Sequence, residues 1–304
     1  MSLIYESILT CPICGYQQKQ SIHSEKLEEY FCIGCACVIT ISKEECCVFC
    51  AYGSHKCLIE QGWELMEEKL NKGPLIISRN EKPTKYTPAL GVDWLTLWYD
   101  LAIKLTMPER KFRNKLIDHV NPKNGEYILE FGFGTGANLL IGASKNPNCH
   151  FVGLDIDPKI REIAVHKLTK NQLAIPLELY EGAGFPFKSE SFDKVYSCLV
   201  FHHLDRAAKQ RALKEIHRVL KPGGKLIIGD WGKAKSHRMR VVFYAVQLLD
   251  GFKTTKDNVD GKIPEFIEKA GFSSVKETGF INTMIGSFCY YMAAKEEETF
   301  RISL

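Results

Sequence analysis

The chain has 304 residues, enough for one large domain with a small one or for two domains, and 45% of them are hydrophobic, as in a globular protein. Its net charge of +4 is unevenly spread, because the first 75 residues hold six Lys or Arg against ten Asp or Glu, which gives −4 and leaves +8 for the remainder. A block of basic residues with interleaved aromatic side chains is absent, and so is an apolar run of membrane-span length; we therefore expect neither a nucleic-acid partner nor a membrane span.

Cysteine usage defines the first domain. The N-terminus has no basic segment followed by an apolar stretch, so we predict no signal peptide and a cytoplasmic protein. The twelve cysteines are then expected to be thiols or metal ligands rather than disulfides. Nine of them lie before residue 58, which predicts a cysteine-rich metal-binding module over residues 1–72.

Two C-x2-C pairs, separated by seventeen residues, open this module. Two residues between thiolates let one turn present both sulfurs to a tetrahedral ion, and two such turns complete the coordination. A segment this small buries too little apolar surface to fold alone, so the metal would supply much of its stability. The pattern predicts a small zinc-ribbon-like domain, in preference to a redox C-x2-C pair, and its zinc ligands are Cys11, Cys14, Cys32 and Cys35.

The next cysteines stand in the sequence ECCVFC, which begins at residue 45. This stretch resembles a small bacterial family with a Gly-Asp-Cys-Cys-Val-x-Cys signature that includes selenoproteins, although Glu44-Glu45 replaces Gly-Asp here. The resemblance implies that Cys46 or Cys47 is a reactive thiol. Clustered sulfurs also suit soft, thiophilic ions.

A structural alternative is open for the same cysteines. Vicinal cysteines cannot easily share one tetrahedral ion, so a second zinc site would use Cys47, Cys50 and Cys57 with Cys37 or His55. We therefore expect either a second metal site or a redox site in this stretch. Its candidate residues are Cys46, Cys47, Cys50 and Cys57.

A polar stretch with three prolines, residues 73–90, predicts an extended linker. Beyond it, apolar residues from Trp94 to Leu105 recur every three or four residues, which predicts a helix that is either a lid over a cofactor or a cap on a sheet. A second helix, from about Pro108 to Val120, leads into the main domain, residues 91–304.

A strand, a glycine turn and a helix are predicted around the sequence EFGFGTG, which begins at residue 130. Gly132, Gly134 and Gly136 let the chain turn tightly and bring a ligand against the backbone, and the helix N-terminus offers unpaired N–H groups. With Ala137 at the last place, the turn also fits a dinucleotide pattern. The acid Glu130 decides between the two, because it would repel a pyrophosphate and attract the cationic amino group and sulfonium of S-adenosylmethionine.

The next predicted strand, Phe151–Leu154, ends at Asp155, nineteen residues past Gly136. An acid at the carboxyl end of a strand can accept hydrogen bonds from ribose hydroxyls, and Ile156 is placed to pack on an adenine face. Pro158 predicts the start of a helix. The apolar face of that helix is expected to comprise Ile160, Ile163, Ala164 and Leu168.

Further strands are predicted at Leu177–Tyr180 and Ser191–Cys198. By this point the chain carries the motifs E-x-G-x-G-x-G, G-x-D-x-D, F-P-F, S-F-D-x-V, H-H-L and L-K-P-G-G. From about residue 90 to residue 295, it resembles a class I S-adenosylmethionine-dependent methyltransferase. The resemblance implies an α/β fold with a Rossmann-like seven-stranded sheet and an enzyme that uses S-adenosylmethionine.

The resemblance also implies roles for matching residues. Glu130 and the three glycines of the turn would hold the methionine part of the cofactor, and Asp155 would hold the ribose. Glu181 stands where the family often has an Asp near the adenine amino group. Cys198 ends the fourth strand, where backbone carbonyls usually meet the methionine amino group.

His202 and His203 follow the fourth strand, at the edge where open α/β sheets bind ligands. A histidine there could deprotonate a nucleophile near neutral pH, or it could only brace the turn. We also predict Asp205 as a helix N-cap, and Asp230-Trp231 as residues that face the pocket from the end of the fifth strand.

The C-terminal part is expected to complete the sheet. A helix from Ser236 to Asp250 should bury apolar residues that include Val242 and Tyr244. Residues 254–258 are expected to form a polar loop near substrate, and residues 263–270 a short helix. Two closing strands are predicted near residues 274–281 and 287–294.

Three functions are open on the sequence. The first is methyl transfer to a thiophilic substrate, namely a soft metal, metalloid, chalcogen compound or thiol, which the surplus N-terminal thiols would capture. The second is methyl transfer to a small organic acid, quinone or lipid headgroup, with a purely structural zinc module. The third is a metal-binding or sensing protein whose methyltransferase fold only binds cofactor.

Overall fold

The computed structural model describes residues 4–22, 27–41, 46–58, 60–61, 64, 108–182 and 184–297. The predicted linker and the predicted helix that begins near Trp94 lie outside these residues. The chain forms two compact units; the cysteine-rich region belongs to one, and the large sheet belongs to the other.

The cysteine-rich region is built from two β-hairpins and a short helix. Strands β1 (Glu6–Thr10) and β2 (Gln17–Ser21) pair antiparallel, as do β3 (Glu29–Phe31) and β4 (Val38–Thr40), and α1 (Val48–Tyr52) follows. Each hairpin carries one C-x2-C pair in its turn. This arrangement is compatible with the zinc-ribbon-like domain predicted from the spacing.

The two hairpin turns share one local conformation. The N–H of Gly15 donates to the carbonyl of Cys11, and the N–H of Ala36 donates to the carbonyl of Cys32, both at 2.9 Å. Gly15 and Ala36 both have left-handed backbones, with φ of +72° and +56°. Glycine adopts that region without strain and alanine does not, so the second turn is the more strained of the two.

The core of the cysteine-rich region is small. Besides cysteines, its fully or nearly fully buried residues are few, and they include Leu9, Tyr30, Ile39 and Phe49. Helix α1 is tied to β1 by an isolated bridge between Leu9 and Gly53. So little apolar burial cannot offset the entropy of ordering the segment without a further constraint.

The large unit contains the seven-stranded sheet that the resemblance implies. Its strand order is β10-β11-β9-β8-β5-β6-β7, with parallel pairing from β9 through β7 and antiparallel pairing of β11 with both β9 and β10. The strands are β5 (Tyr127–Phe131), β6 (His150–Asp155), β7 (Leu177–Leu179), β8 (Phe192–Cys198), β9 (Leu220–Trp231), β10 (Ser273–Asn282) and β11 (Ser287–Ala294).

Helices connect these strands as α/β crossovers, because parallel neighbours cannot be joined by a tight turn. The predicted N-cap is confirmed, because Asp205 accepts from the N–H of Ala208 at 2.8 Å; Ser236 likewise accepts from the N–H of Met239 at 3.2 Å. The helices are α2 (Glu109–Val120), α3 (Ala137–Lys145), α4 (Pro158–Lys170), α5 (Arg206–Val219), α6 (His237–Asp250), α7 (Phe252–Val259) and α8 (Ile263–Lys269). Among the described helices, none has both the length and the apolar character that a membrane span requires.

Two apolar faces were predicted wrongly in part. Ile163 on α4 is 50% exposed, and on α6 Val242 and Tyr244 are 37% and 46% exposed. Helix α6 instead buries Phe243 and Val246, which lie three residues apart along the helix. Apolar residues line more than one face of this helix, so the pattern alone did not select the buried one.

The predicted polar loop at residues 254–258 is wrong, because these residues belong to helix α7. Three of their polar side chains, those of Thr255, Asp257 and Asn258, are buried. Thr255 accepts from Gln247 at 3.1 Å, and the Asn258 amide donates to the carbonyl of Trp231 at 3.0 Å. Polar residues with partners of this kind can be buried, which composition does not reveal.

Candidate functional site

The glycine turn lies at the carboxyl end of β5. Gly132 donates its N–H to the carbonyl of Leu154 at 2.7 Å, and all three predicted glycines have positive φ. A Cβ on Gly132 would lie 2.2 Å from Val200 Cγ2, whereas a Cβ on Gly134 would meet no atom within 4 Å. The turn is therefore packed tightly against the end of β8 at one glycine and faces open space at another.

Asp155, at the end of β6, lies beside the open space at Gly134. Its carboxylate accepts from the N–H of Gly134 at 2.9 Å and from the N–H of Ile156 at 2.7 Å. Burial raises the pKa of Asp155, while these backbone N–H groups favour its charged form. Ile156 is 39% exposed beside it, and Glu181 is exposed after β7. A carboxylate, an uncovered apolar side chain and space beside a glycine fit a nucleoside.

Glu130 is fully buried rather than open to a ligand. One carboxylate oxygen accepts from the Asn138 amide at 2.7 Å, and the other accepts from the Tyr196 hydroxyl at 3.0 Å. Burial raises the pKa of Glu130 to about 8, although both hydrogen bonds favour the charged form. The predicted position of this acid is observed, and its burial favours the neutral form of the carboxyl group.

A chain of side chains orients Asn138. The Arg113 guanidinium on α2 donates to the Asn138 side-chain oxygen at 3.0 Å and to Glu109 at 2.8 Å. The amide of Asn138 is thereby turned so that its nitrogen faces Glu130. Sequence reasoning missed these residues, because Tyr196 meets Glu130 only through the pairing of β5 with β8. Asn138, a polar residue in the apolar first turn of α3, was the one available signal.

Asp230 organises the turn after β8. One oxygen accepts from the N–H groups of Val200 and Phe201, at 3.2 and 2.8 Å, and the other lies 2.6 Å from Nδ1 of His202. Asp230 and His202 are both fully buried. The predicted exposure of Asp230 to a pocket is therefore not observed, and neither is that of Trp231, which is 2% exposed.

The two predicted histidines differ in their surroundings. His202 is held by Asp230, while His203 is half-buried and its ring centroid lies 3.9 Å from that of His202. Burial, together with the charges of His202 and Lys209, lowers the pKa of His203 well below its ordinary value. His203 is thus neutral at pH 7. At the end of β8, burial raises the pKa of the Cys198 thiol to about 12, so this thiol is uncharged.

The cysteine-rich region contains two groups of four thiols. In each group, all sulfur atoms lie within 4.8 Å of one another. The first group is the predicted set, Cys11, Cys14, Cys32 and Cys35. The second group is Cys46, Cys47, Cys50 and Cys57.

The second group comprises the four candidate residues of the predicted second metal or redox site. Cys46 and Cys47 both belong to it, although adjacent cysteines do not easily share one ion. Cys37 and His55, the alternative ligands, lie outside both groups. The sulfur of Cys37 instead lies 3.5 Å from the carbonyl of Cys35.

Comparison with known proteins gives a family match for the part of the chain that forms the parallel strands of the seven-stranded sheet. Residues 129–228 match the model of a methyltransferase domain family. These residues form a methyltransferase domain. The match covers the glycine turn, Asp155, both histidines and most of β9, and it does not extend into the cysteine-rich region.

Curated relatives share this methyltransferase domain. An uncharacterized methyltransferase of Oceanobacillus iheyensis is 31% identical over 143 residues, which cover 45% of this chain and 63% of that protein. A demethylmenaquinone methyltransferase of Symbiobacterium thermophilum is 26% identical over 214 residues, or 62% of this chain and 83% of that protein. The chain spans less than two thirds of the length of the first relatives that it matches.

A solved structure shows the same fold. The phosphoethanolamine N-methyltransferase 2 of Haemonchus contortus, in complex with phosphomonomethylethanolamine and S-adenosylhomocysteine, matches with a TM-score of 0.51 at 17% identity. The match covers 61% of this chain and 53% of that one. At this identity, the likeness establishes the fold of the methyltransferase domain.

Proposed function

We propose that this chain transfers a methyl group from S-adenosylmethionine to a small-molecule acceptor. The observation that carries the proposal is the placement of Glu130 and Asp155 at the carboxyl ends of two neighbouring parallel strands, on either side of the glycine turn. This edge of an open α/β sheet is where ligands bind. The family match over residues 129–228 supports the same assignment.

The proposed cofactor site divides into two parts. Asp155 would hold the ribose, Ile156 would cover one face of the adenine, and Glu181 would receive the adenine amino group. The glycine turn, Glu130 and the backbone at Cys198 would hold the methionine part. When bound, the cofactor supplies a methyl group on a positively charged sulfur. The protein then mainly aligns that carbon with the acceptor, and no general acid is needed.

In this proposal, the protonation state of Glu130 changes when the cofactor binds. Because its pKa is about 8 in the free protein, the carboxyl group is mostly protonated at pH 7. A nearby positive charge favours the carboxylate, so cofactor binding is expected to release a proton from Glu130. This replaces the simpler expectation that a free carboxylate attracts the cofactor.

Binding titrations test the cofactor assignment. Asp155→Asn should weaken binding of S-adenosylhomocysteine at least ~10-fold, the loss expected for a charged hydrogen-bond acceptor. Asp157→Asn is the matched control, because asparagine at this position can still cap α4 through the acceptor that now receives the N–H of Lys159. Unchanged affinity in Asp155→Asn, or binding of a dinucleotide in its place, would contradict the assignment.

We assign acceptor activation to His203 rather than to His202. His203 is half-buried, so it is the histidine that can reach an acceptor, whereas His202 is fully buried against Asp230. The lowered pKa of His203 keeps its ring neutral and makes it a weak base, which suits an acceptor that ionises readily. His203→Gln should lower kcat for an acceptor that loses a proton while leaving S-adenosylhomocysteine affinity unchanged. An equal kcat in wild type and variant across pH 6 to 9 would exclude the role.

A small organic acceptor, such as an acid, quinone or lipid headgroup, is the acceptor class that we favour. Eight of the nine cysteines before residue 58 lie in the two four-thiol groups, which leaves Cys37 outside them. A thiophilic acceptor is the second candidate, and the half-exposed thiols of Cys46 and Cys50 are the observation in its favour. Release of S-adenosylhomocysteine with organic acceptors, set beside arsenite, selenite, tellurite, mercuric ion and thiols, separates the two.

The first four-thiol group is proposed as a structural zinc site. The sulfurs of Cys11 and Cys35 are 3.8 Å apart, and those of Cys14 and Cys32 are 3.7 Å apart. Zinc–sulfur bonds of about 2.3 Å in a tetrahedron place sulfurs about 3.8 Å apart. Each hairpin contributes two ligands, so one ion would fasten the two hairpins together.

A further inference from the structure

We propose that Cys46, Cys47, Cys50 and Cys57 bind a second zinc ion, so that the cysteine-rich region holds two tetrathiolate sites. The proposal concerns the vicinal cysteine motif, which methyl transfer does not use. All four sulfurs lie within 4.8 Å of one another. Four thiolates in a tetrahedron form a closed structural zinc site, with no coordination position left for a substrate.

The sulfur separations match the edges of a zinc tetrahedron. Cys46 to Cys57 is 3.9 Å, Cys47 to Cys50 is 3.7 Å, and Cys50 to Cys57 is 3.7 Å. The edge expected for zinc is about 3.8 Å. A disulfide would require a separation of about 2.05 Å. The second group therefore reproduces the geometry of the first group rather than that of an oxidised pair.

The backbone shows how adjacent cysteines can serve one ion. Cys47 is extended, with φ of −170° and ψ of 173°, and it directly precedes α1. The sulfur of Cys47 approaches Cys50, one helical turn on, while the sulfur of Cys46 approaches Cys57. The two vicinal thiols thus approach different partners within the group, and the extended backbone at Cys47 lets both sulfurs belong to it.

The site would add a cross-link to a segment that is otherwise held by hydrogen bonds, a bridge to β1 and the burial of two residues of α1. Residues 46–58 are joined to β1 through the N–H of Ser54, which donates to the carbonyl of Ile8 at 3.0 Å, and the N–H of His55, which donates to the Ser7 hydroxyl at 3.0 Å. A zinc ion would cross-link both ends of this segment through Cys46 and Cys57. Such a cross-link supplies folding free energy that a five-residue helix cannot supply alone.

Metal binding sets the chemical state of these thiols. Four S–H groups lose their protons as they become ligands, the protons go to solvent, and no electron is transferred. Cys46 and Cys47 are then zinc-bound thiolates rather than free thiols. The reactive thiol implied by the selenoprotein resemblance would be absent from the metal-loaded protein.

Elemental analysis of the full chain, purified under reducing conditions, tests the proposal. We expect two zinc ions per chain in the wild type and one in Cys50→Ser, which removes one ligand from the second site only. Cys37→Ser is the matched control and should retain two, because Cys37 lies outside both groups. One zinc ion in the wild type, or two in Cys50→Ser, would overturn the proposal.

A second measurement avoids variants that fail to fold. Titration of the wild-type chain with a mercurial, followed by a coloured zinc chelator, should release two zinc ions per chain as eight thiols react. The mass of the alkylated, unreduced chain should show no loss of two hydrogens. A disulfide within residues 46–57, or release of a single ion, would refute the second site. Neither result depends on cofactor binding, so Asp155→Asn should still contain two zinc ions.

Discussion

Glu130 is an acid whose protonation is coupled to folding. Burial raises its pKa to about 8 in the folded protein, above the ordinary glutamate value of about 4.3. The folded chain therefore holds this proton more tightly than the unfolded chain does. The stabilising contribution is complete below the unfolded pKa and is lost as pH rises through the folded pKa.

The pH dependence of the free energy of unfolding should show the titration of the Glu130 carboxyl group. We expect the contribution of Glu130 to make the free energy of unfolding fall between pH 5 and pH 8, and Glu130→Gln to remove that part of the slope. Urea denaturation at four pH values measures it. Glu296→Gln, at an exposed site, is the control and should leave the slope unchanged. Equal slopes in wild type and Glu130→Gln would show that Glu130 does not change its proton affinity on folding.

Tyr196 tunes the same carboxyl group. Tyr196→Phe removes the hydroxyl that donates to Glu130 at 3.0 Å and leaves that oxygen without its partner. Loss of a buried hydrogen bond costs about 1–3 kcal/mol of stability. The pKa of Glu130 should rise further, so S-adenosylmethionine affinity at pH 7 should fall and recover at higher pH.

Tyr290→Phe controls for loss of a buried tyrosine hydroxyl elsewhere. The Tyr290 hydroxyl donates to the carbonyl of Phe112 at 3.0 Å, away from Glu130. Its loss should lower stability without changing the pH dependence of cofactor affinity. If both variants changed cofactor binding alike, the effect of Tyr196→Phe would be general destabilisation.

At the scale of elements, Asp230 fixes the turn that follows β8. Asp230→Asn would place an amide donor against the N–H groups of Val200 and Phe201 or lose the contact with Nδ1 of His202. Either outcome leaves a buried hydrogen-bonding group without its partner, at a cost of about 1–3 kcal/mol. Thermal unfolding measures the loss. A change below ~1 kcal/mol would mean that the turn is held by its packing alone.

The sequence predicted the regular elements of the methyltransferase domain well, for a local reason. The strand, glycine turn and helix from β5 to α3 have apolar periodicity, left-handed glycines and a terminal acid in one short window. The N-cap at Asp205 is equally local. Each of these features depends on neighbours within a few residues, which the sequence displays directly.

Predictions failed where burial depends on distant partners. Helix α7 was expected as a loop because its residues are polar, and its Asn258 is buried against the carbonyl of Trp231. The partner of Glu130 was not predicted, because Tyr196 reaches it from another strand. Within the predicted candidate set, the pairing of Cys46 with Cys57 was not visible in the vicinal motif, because the fold brings Cys57 to it. These contacts are long-range or tertiary, and no short pattern encodes them.

For the whole molecule, metal removal should affect folding of the cysteine-rich region and leave cofactor binding by the methyltransferase domain unchanged. Stripping the proposed zinc ions with a mercurial and a chelator should unfold the cysteine-rich region, since its apolar core is small. The residues proposed to hold the cofactor lie between Glu130 and Cys198, so cofactor affinity should change less than twofold. Limited proteolysis measures the first effect and calorimetric titration measures the second. Loss of both would show that the domain depends on the metal-bound region.

One of the two hairpin turns is more strained than the other, and we expect this difference to decide which turn opens first when metal is lost. Ala36 holds the left-handed backbone that Gly15 holds without strain, at φ of +56° against +72°. Bound metal would make this difference in backbone strain unobservable, because the cysteine ligands would hold both turns closed. Once the ion leaves, the alanine turn should relax first, so that the region comes apart from its second hairpin and recovers its metal in the reverse sequence.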